Sequence, residues 1–208
     1  MHDIEVIENP AAAAVALEPV RSRLLAELAS PASAAALAAR LGLTRQKVNY
    51  HLRALEAHGL VSVNGERRWG GLTERLLVAT AASYVISPGA MGQAASDPGR
   101  TGDHLSAGYL VALAARVVRE AGALMRLSRE TNQRLATLSL DTMIRFRSPA
   151  ERAAFTQELT LAVAGLVARY HDESAPGGRP HRLVVLAHPL AEPPATANST
   201  HVPTEESP

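Results

Sequence analysis

The sequence contains no cysteine. Disulfides, thiolate metal sites and cysteine nucleophiles are thereby excluded, and a reducing compartment fits. No apolar run reaches the roughly 18 residues that a membrane span requires, so no membrane partner is expected. The N-terminus, MHDIEVIENP, is acidic and lacks the basic segment of a secretory signal, which makes the cytoplasm the expected location. A Gly-rich phosphate loop, a GxSxG elbow and an HExxH helix are all missing, so neither an enzyme nor a cofactor is expected. Lysine is almost absent as well, Lys47 being the only one.

What remains is a globular composition. Of 208 residues, 47% are hydrophobic and 20% charged, enough for one sizeable core or two small ones. The net charge is only +1, but it is unevenly spread. Residues 1–15 carry −3, residues 16–75 carry nine basic against five acidic groups, and residues 189–208 carry −3. The ends are acidic and the interior is mildly basic.

Periodicity divides the chain. Residues 1–15 are expected to be flexible. Val20, Leu24, Leu25 and Leu28 recur at helical spacing over about 18–29, with Pro19 near the start and Pro31 after the end. SAAALAARLGL is a second, short helix, capped by Ser33 and stopped at Gly42. Thr44 caps a third, running to about His58 with Val48, Leu52 and Leu55 on its inner face and Gly59 beyond it. LVSV then alternates as a strand, NGERRWGG is a basic turn, and LTERLLVATAASYVI reads as one longer extended segment. Residues 87–103 are rich in Gly, Pro, Ser and Asp and read as a linker and domain boundary.

A long helix is predicted over about 104–134. Its stripe is Leu110, Leu113, Val117, Ala121 and Leu124, widened by Ala114, Val118 and Met125. At roughly 1.5 Å per residue it would measure on the order of 45 Å, too long for a small domain to cover, so a partner helix is expected. ATLSLDTMIRFR alternates as a half-buried strand. A capped helix starts at Ser148 and Pro149, with Glu151 completing a capping box. HRLVVLAH is apolar on both faces, as a central strand is. Strand, helix and strand together predict a parallel pair with a right-handed crossover. Residues 189–208 are Pro/Thr/Ala/Ser-rich and expected to be disordered. The expected fold class is α+β. An N-terminal winged helix-turn-helix (16–86) is followed by a C-terminal α/β dimerisation domain (104–188) with one long helix and a strand-helix-strand unit.

The functional signal lies in LTRQKVNYHLRALEAHGLV. Leucines and Val48 account for a packing face, but not for the polar and basic side chains crowded on the rest. The short Gly-containing joint LGLT is that of a helix-turn-helix. LAARLGLTRQKVNYHLRALEAHGLV, with LLAELASPASAAALA before it, resembles the winged helix-turn-helix of ArsR-type transcriptional regulators. The shared pattern is a small-residue helix, Gly, a hydroxyl cap, a polar triplet, Val, a His-Leu pair, Leu and Gly-Leu-Val. It covers about residues 16–72.

The resemblance implies DNA binding by a homodimer on a near-palindromic operator, with repression as the usual outcome. A major groove admits one helix and offers base edges. Arg45, Gln46, Asn49 and Tyr50 are placed to meet them, Arg toward guanine and Gln or Asn toward adenine. Lys47, Arg53 and the helix start at Thr44 suit phosphates. Arg67, Arg68 and Trp69 sit at the wing tip, where arginines suit a minor groove or the flanking backbone. Tyr50 serves packing equally well, Trp69 equally suits pinning the wing, and His51 is expected to be structural. The blander alternative for the whole set is a solvated helix face.

Metal-responsive repression, also implied by the resemblance, needs cysteines or Asp/His pairs on the long helix. There is no cysteine, the long helix has only Glu120 and Glu130 as interior acids with Asp103 and His104 at its start, and the eight histidines are scattered. No metal site is therefore expected. A small organic effector is the alternative trigger, with Tyr84, Tyr109, Met125, Met143 and Phe146 as a candidate apolar pocket; core packing is the competing role for these five. Further alternatives are a metal-responsive regulator, a regulator without a ligand and a protein-interaction module that does not bind DNA.

Overall fold

The computed structural model describes residues 1–69 and 72–190. The chain divides into two compact units, Met1–Leu138 and Ser139–Pro208.

The first unit opens with strand β1 (His2–Ile7), then helices α1 (Pro10–Leu17) and α2 (Pro19–Glu27). The first fifteen residues, expected to be flexible, therefore form a strand and most of a helix. Ile4, Val6 and Ile7 supply β-branched side chains for the strand. Asn9 caps α1, its side-chain oxygen accepting the N–H of Ala11 at 2.8 Å. Strand β2 (Ala32–Ser33) leads into α3 (Ala34–Leu41), and α4 spans Arg45–Ala57. Strands β3 (Val61–Trp69) and β4 (Leu72–Ala79) form an antiparallel hairpin, and β5 (Ala81–Ile86) follows.

The segment read as one long extended stretch is thus two strands in two sheets. β4 lies between β2 and β3, whereas β5 pairs in parallel with β1. The chain switches sheets at Thr80. Its N–H donates to the carbonyl of Leu60 (3.0 Å), and its own carbonyl accepts the N–H of His2 (2.8 Å). Alternation alone cannot show this switch, because both strands present the same period. One core serves the helices and the three-stranded sheet. Leu24, Leu28, Leu37, Val48, Leu52, Leu55, Leu60, Val61 and Leu77 are buried in it.

Residues 87–103, expected to be a linker between domains, are packed onto the first unit. Ser87 is fully buried, and two short 3-10 helices, Pro88–Ala94 and Pro98–Arg100, lie against the long helix α5 (Ala107–Thr131). Arginines of α5 also hold this segment. Arg119 donates to the carbonyl of Ser96 at 3.0 Å, and Arg116 pairs with Asp97 at 3.3 Å. The boundary falls near Leu138 instead, and α5 belongs to the N-terminal unit rather than to a C-terminal domain.

The buried face of α5 is also not the leucine stripe. Ala112, Ala115 and Gly122 are its buried residues, while Val111, Val117, Leu124 and Leu127 are exposed. Small residues face inward because β1 comes close. A Cβ on Gly122 would lie 2.8 Å from Cγ1 of Val6. Arg126 pairs with Glu8 at 2.8 Å, and Arg129 pairs with Glu5, which ties the helix to the first strand. Gly122→Leu should destabilise the chain by roughly 1–3 kcal/mol through overpacking. Gly122→Ala should destabilise less, since about 1 kcal/mol of helix propensity offsets part of the clash with Val6. Urea denaturation of the two variants tests the difference; equal stabilities would show that α5 does not need the close approach.

The second unit contains helix α6 (Pro149–Tyr170). Ser148 caps it by accepting the N–H of Glu151 at 3.1 Å, and the Glu151 carboxylate accepts the N–H of Arg147 at 2.6 Å. Phe146 packs on Phe155 with ring centres 5.3 Å apart. The segments 136–147 and 181–188, expected as strands, have no strand pairing, so the strand-helix-strand reading is corrected to a helix with irregular flanks. Alternation describes the two faces of a strand but does not provide the neighbour to which it must bond. No residue of α6 is buried. The expected disordered tail falls, from residue 191 on, outside the described residues.

No described helix is long and apolar enough to cross a membrane.

Candidate nucleic-acid interface

Three residues join α3 to α4, and their chemistry fixes the angle. Gly42 ends α3 in the left-handed region (φ 65°), which a side chain would resist. Thr44 then begins α4, its hydroxyl accepting the N–H of Lys47 at 3.3 Å. Val48, His51, Leu52 and Leu55 are buried, a stripe at i, i+3, i+4 and i+7. The opposite surface is open. Arg45, Gln46, Lys47 and Arg53 are exposed, Asn49 is half-buried and Tyr50 is 66% exposed. The apolar stripe thus turns a polar and basic face outward.

His51 is buried at 6% exposure, and its Nδ1 lies 3.5 Å from the carboxylate of Glu18, without hydrogen-bond geometry. Glu18 caps α2, accepting the N–H of Arg21 at 2.9 Å. Burial pushes the Glu18 carboxyl up. The N–H groups of Arg21 and Val20 and the charges of His51 and Arg21 outweigh this and hold it below the ordinary carboxylate range. His51 is therefore part of the seat of α4, as expected. The glutamate opposite it was not legible, because it lies 33 residues away at the junction of α1 and α2.

The wing is the β3–β4 hairpin. Asn64 is the extra residue of a bulge between Val63 and Gly65, which bends the hairpin. Arg67 and Arg68 are exposed on β3, and Trp69 is its last residue, paired with Leu72. Arg67 faces Glu74 across the hairpin at 3.2 Å. Arg75 pairs with Glu56 of α4 at 2.5 Å and so ties the wing to that helix. Glu74, Arg75 and Glu56 were missed in the sequence; the hairpin register, had it been known, would have placed Glu74 opposite Arg67.

Residues 16–64 match the helix-turn-helix domain family. The chain carries a helix-turn-helix DNA-binding domain. Domains of this class serve transcription regulation. The match ends within β3, so the outer wing, α5 and α6 lie beyond it. No curated protein matches the chain. Within the helix-turn-helix, α3 is the first helix and α4 the second, the one that such a domain places in the major groove.

The five residues proposed for an effector pocket are dispersed among other roles. The Tyr84 hydroxyl donates to the carbonyl of Leu60 at 2.7 Å and accepts the N–H of Ala81, pinning β5 to the end of α4. Tyr109 stacks on His104, with ring centres 4.4 Å apart. Met125 is half-buried on α5, and Met143 in the second unit is 81% exposed. Phe146 is held by Phe155. An open cleft of about 600 Å³ in the first unit is lined instead by His2, Glu5, Glu8, His58, Arg126 and Arg129, among others. Among the described residues no group of three His, Asp or Glu is arranged to hold a metal ion.

Proposed function

We propose that the chain is a homodimeric, sequence-specific transcription regulator of the ArsR-like winged helix type. It would act as a repressor on a near-palindromic operator. The observation that carries this reading is the division of α4 into a buried apolar stripe and an exposed face of Arg45, Gln46, Lys47, Tyr50 and Arg53. Side chains of this kind match base edges and phosphates, and nothing in the core requires them. The wing arginines Arg67 and Arg68 are exposed as well, and they add basic groups suited to the flanking DNA.

The homodimer is supported by the apolar surface left uncovered. Val117, Leu124 and Leu127 run along the outward side of α5 at spacings of seven and three, a seam that suits a second helix. Leu161, Leu166 and Val167 on α6 are also more than 45% exposed. A small organic ligand is the release signal in this proposal. The cleft lined by His58 and Arg126 borders the end of α4, so a ligand seated there would act on the reading helix directly.

Gel shifts over the promoter region of its own gene test the reading. Absence of binding at low salt would sink it. Gln46→Ala and Asn49→Ala should each cost about 1–3 kcal/mol at particular base pairs only. Lys47→Ala should weaken all sequences alike and reduce the salt slope by about one. If Gln46→Ala instead lowered affinity equally for every sequence, its role as a base reader would be lost. Thermal-shift screening with organic acids, amines and metal ions tests the release signal.

A further inference from the structure

Glu74 is a carboxylate in the midst of the cations assigned above to DNA. It lies on β4 with its side chain only 17% exposed, across the hairpin from Arg67 and 3.2 Å from its guanidinium. Two residues along the same strand, Leu76 pairs with Ser33, which puts Glu74 on the same face just past the end of β2. Ser33 is the buried N-cap of α3, its Oγ accepting the N–H of Ala36 at 3.3 Å, which leaves its hydroxyl proton to donate. The Ser33 hydroxyl is the strongest influence holding the Glu74 carboxyl below the usual range; Arg67 follows, and the charge of Arg45 at the start of α4 adds to it. One carboxylate thus pairs with the wing and lies beside the strand that leads into the first helix of the helix-turn-helix, and the charge of Arg45 at the head of the reading helix acts on it.

Stability explains little of it, since the Arg67 guanidinium is half-exposed and an ion pair with one solvated partner contributes little. Affinity does not explain it either, because a negative charge beside phosphates opposes binding. We propose that Glu74 is a positioning residue that sets the wing against α3 and α4, so that Arg67 and Arg45 are presented to one DNA segment in fixed register. Specificity then rises while affinity for arbitrary DNA falls. The proposal rests on the DNA-binding reading and adds a residue to it.

The test compares Glu74→Gln with Glu66→Gln on the full chain. Glu66 is an exposed acid on the same wing, paired across the hairpin with Arg75 in register, and serves as the charge-matched control. Affinities for the operator and for unrelated duplex DNA are measured over a salt series, with thermal unfolding alongside. Glu74→Gln should bind unrelated DNA more tightly, with a salt slope steeper by about one, while the operator-to-unrelated ratio falls about tenfold. Glu66→Gln should tighten both alike and leave the ratio unchanged. Glu74→Asp, which keeps the charge on a shorter arm, should recover part of the ratio. An unchanged or raised ratio in Glu74→Gln overturns the proposal and makes Glu74 a simple neutralising charge. Wild-type protein that binds neither DNA overturns the DNA-binding reading itself, an outcome distinct from the first.

Discussion

A chain carrying both Val117→Glu and Leu124→Glu should sediment as a monomer of 22.0 kDa and bind the operator about 10²–10⁴-fold more weakly than the wild type. Both positions are exposed on α5, seven residues apart, on the side away from the small residues that pack on β1. Placing a charge there costs the folded monomer little, because the side chains already meet water. In a dimer the same charges would be desolvated against an apolar partner, which a modest interface cannot tolerate. The loss in DNA binding would come from geometry. Two half-sites read together gain the effective concentration of a tethered second module, and a monomer forfeits it. Sedimentation velocity at micromolar concentration and gel shifts on the same samples check both parts. A doubly substituted chain that remains a dimer would move the interface off this face of α5.

Leu52→Ala should cost roughly 2–5 kcal/mol, the range for deleting a buried leucine side chain. Leu52 is 2% exposed in the core beneath α4. A domain of this size holds only about 5–15 kcal/mol in total, so a large share of the stability would vanish. Arg53, the next residue, is exposed. Its replacement by alanine should leave stability within about 0.5 kcal/mol and weaken DNA binding at all sequences. Urea denaturation of the two neighbours, read beside their DNA affinities, separates the seat of the helix from its working face. If Arg53→Ala destabilised the fold as much as Leu52→Ala, the division of α4 into two faces would be wrong.

The helix-turn-helix was legible because its signals are local. A cap at Thr44, a stripe from Val48 to Leu55 and a left-handed Gly42 all act within one or two helical turns, where sequence spacing is spatial spacing. The helix at Ser148 was legible for the same reason. The strands failed where pairing was needed. The run through Thr80 reads as one extended segment, yet hydrogen bonds to Leu60 and His2 send its two halves to different sheets. The C-terminal alternation reads as strands, yet the described residues hold no neighbour for them.

The face of α5 shows the same limit from another side. Periodicity marked Leu113, Val117 and Leu124 as the stripe to bury, and in an isolated chain hydrophobicity offers no other criterion. Contact with β1 is decided by how closely two backbones approach. Val6 leaves room only for Gly122, so the small residues turn inward and the large ones outward. Glu74 is the corresponding case at the candidate interface, an acid of no apparent pattern until the hairpin sets it beside Arg67 and Ser33. By itself, then, the sequence determined which segment forms the polar and basic second helix of the helix-turn-helix, because caps, stripes and charges repeat at the period of a single helix. Only the tertiary structure decided which carboxylates lie against that helix and the hairpin and which face of the long helix stays exposed, because both depend on distances between residues far apart in the chain.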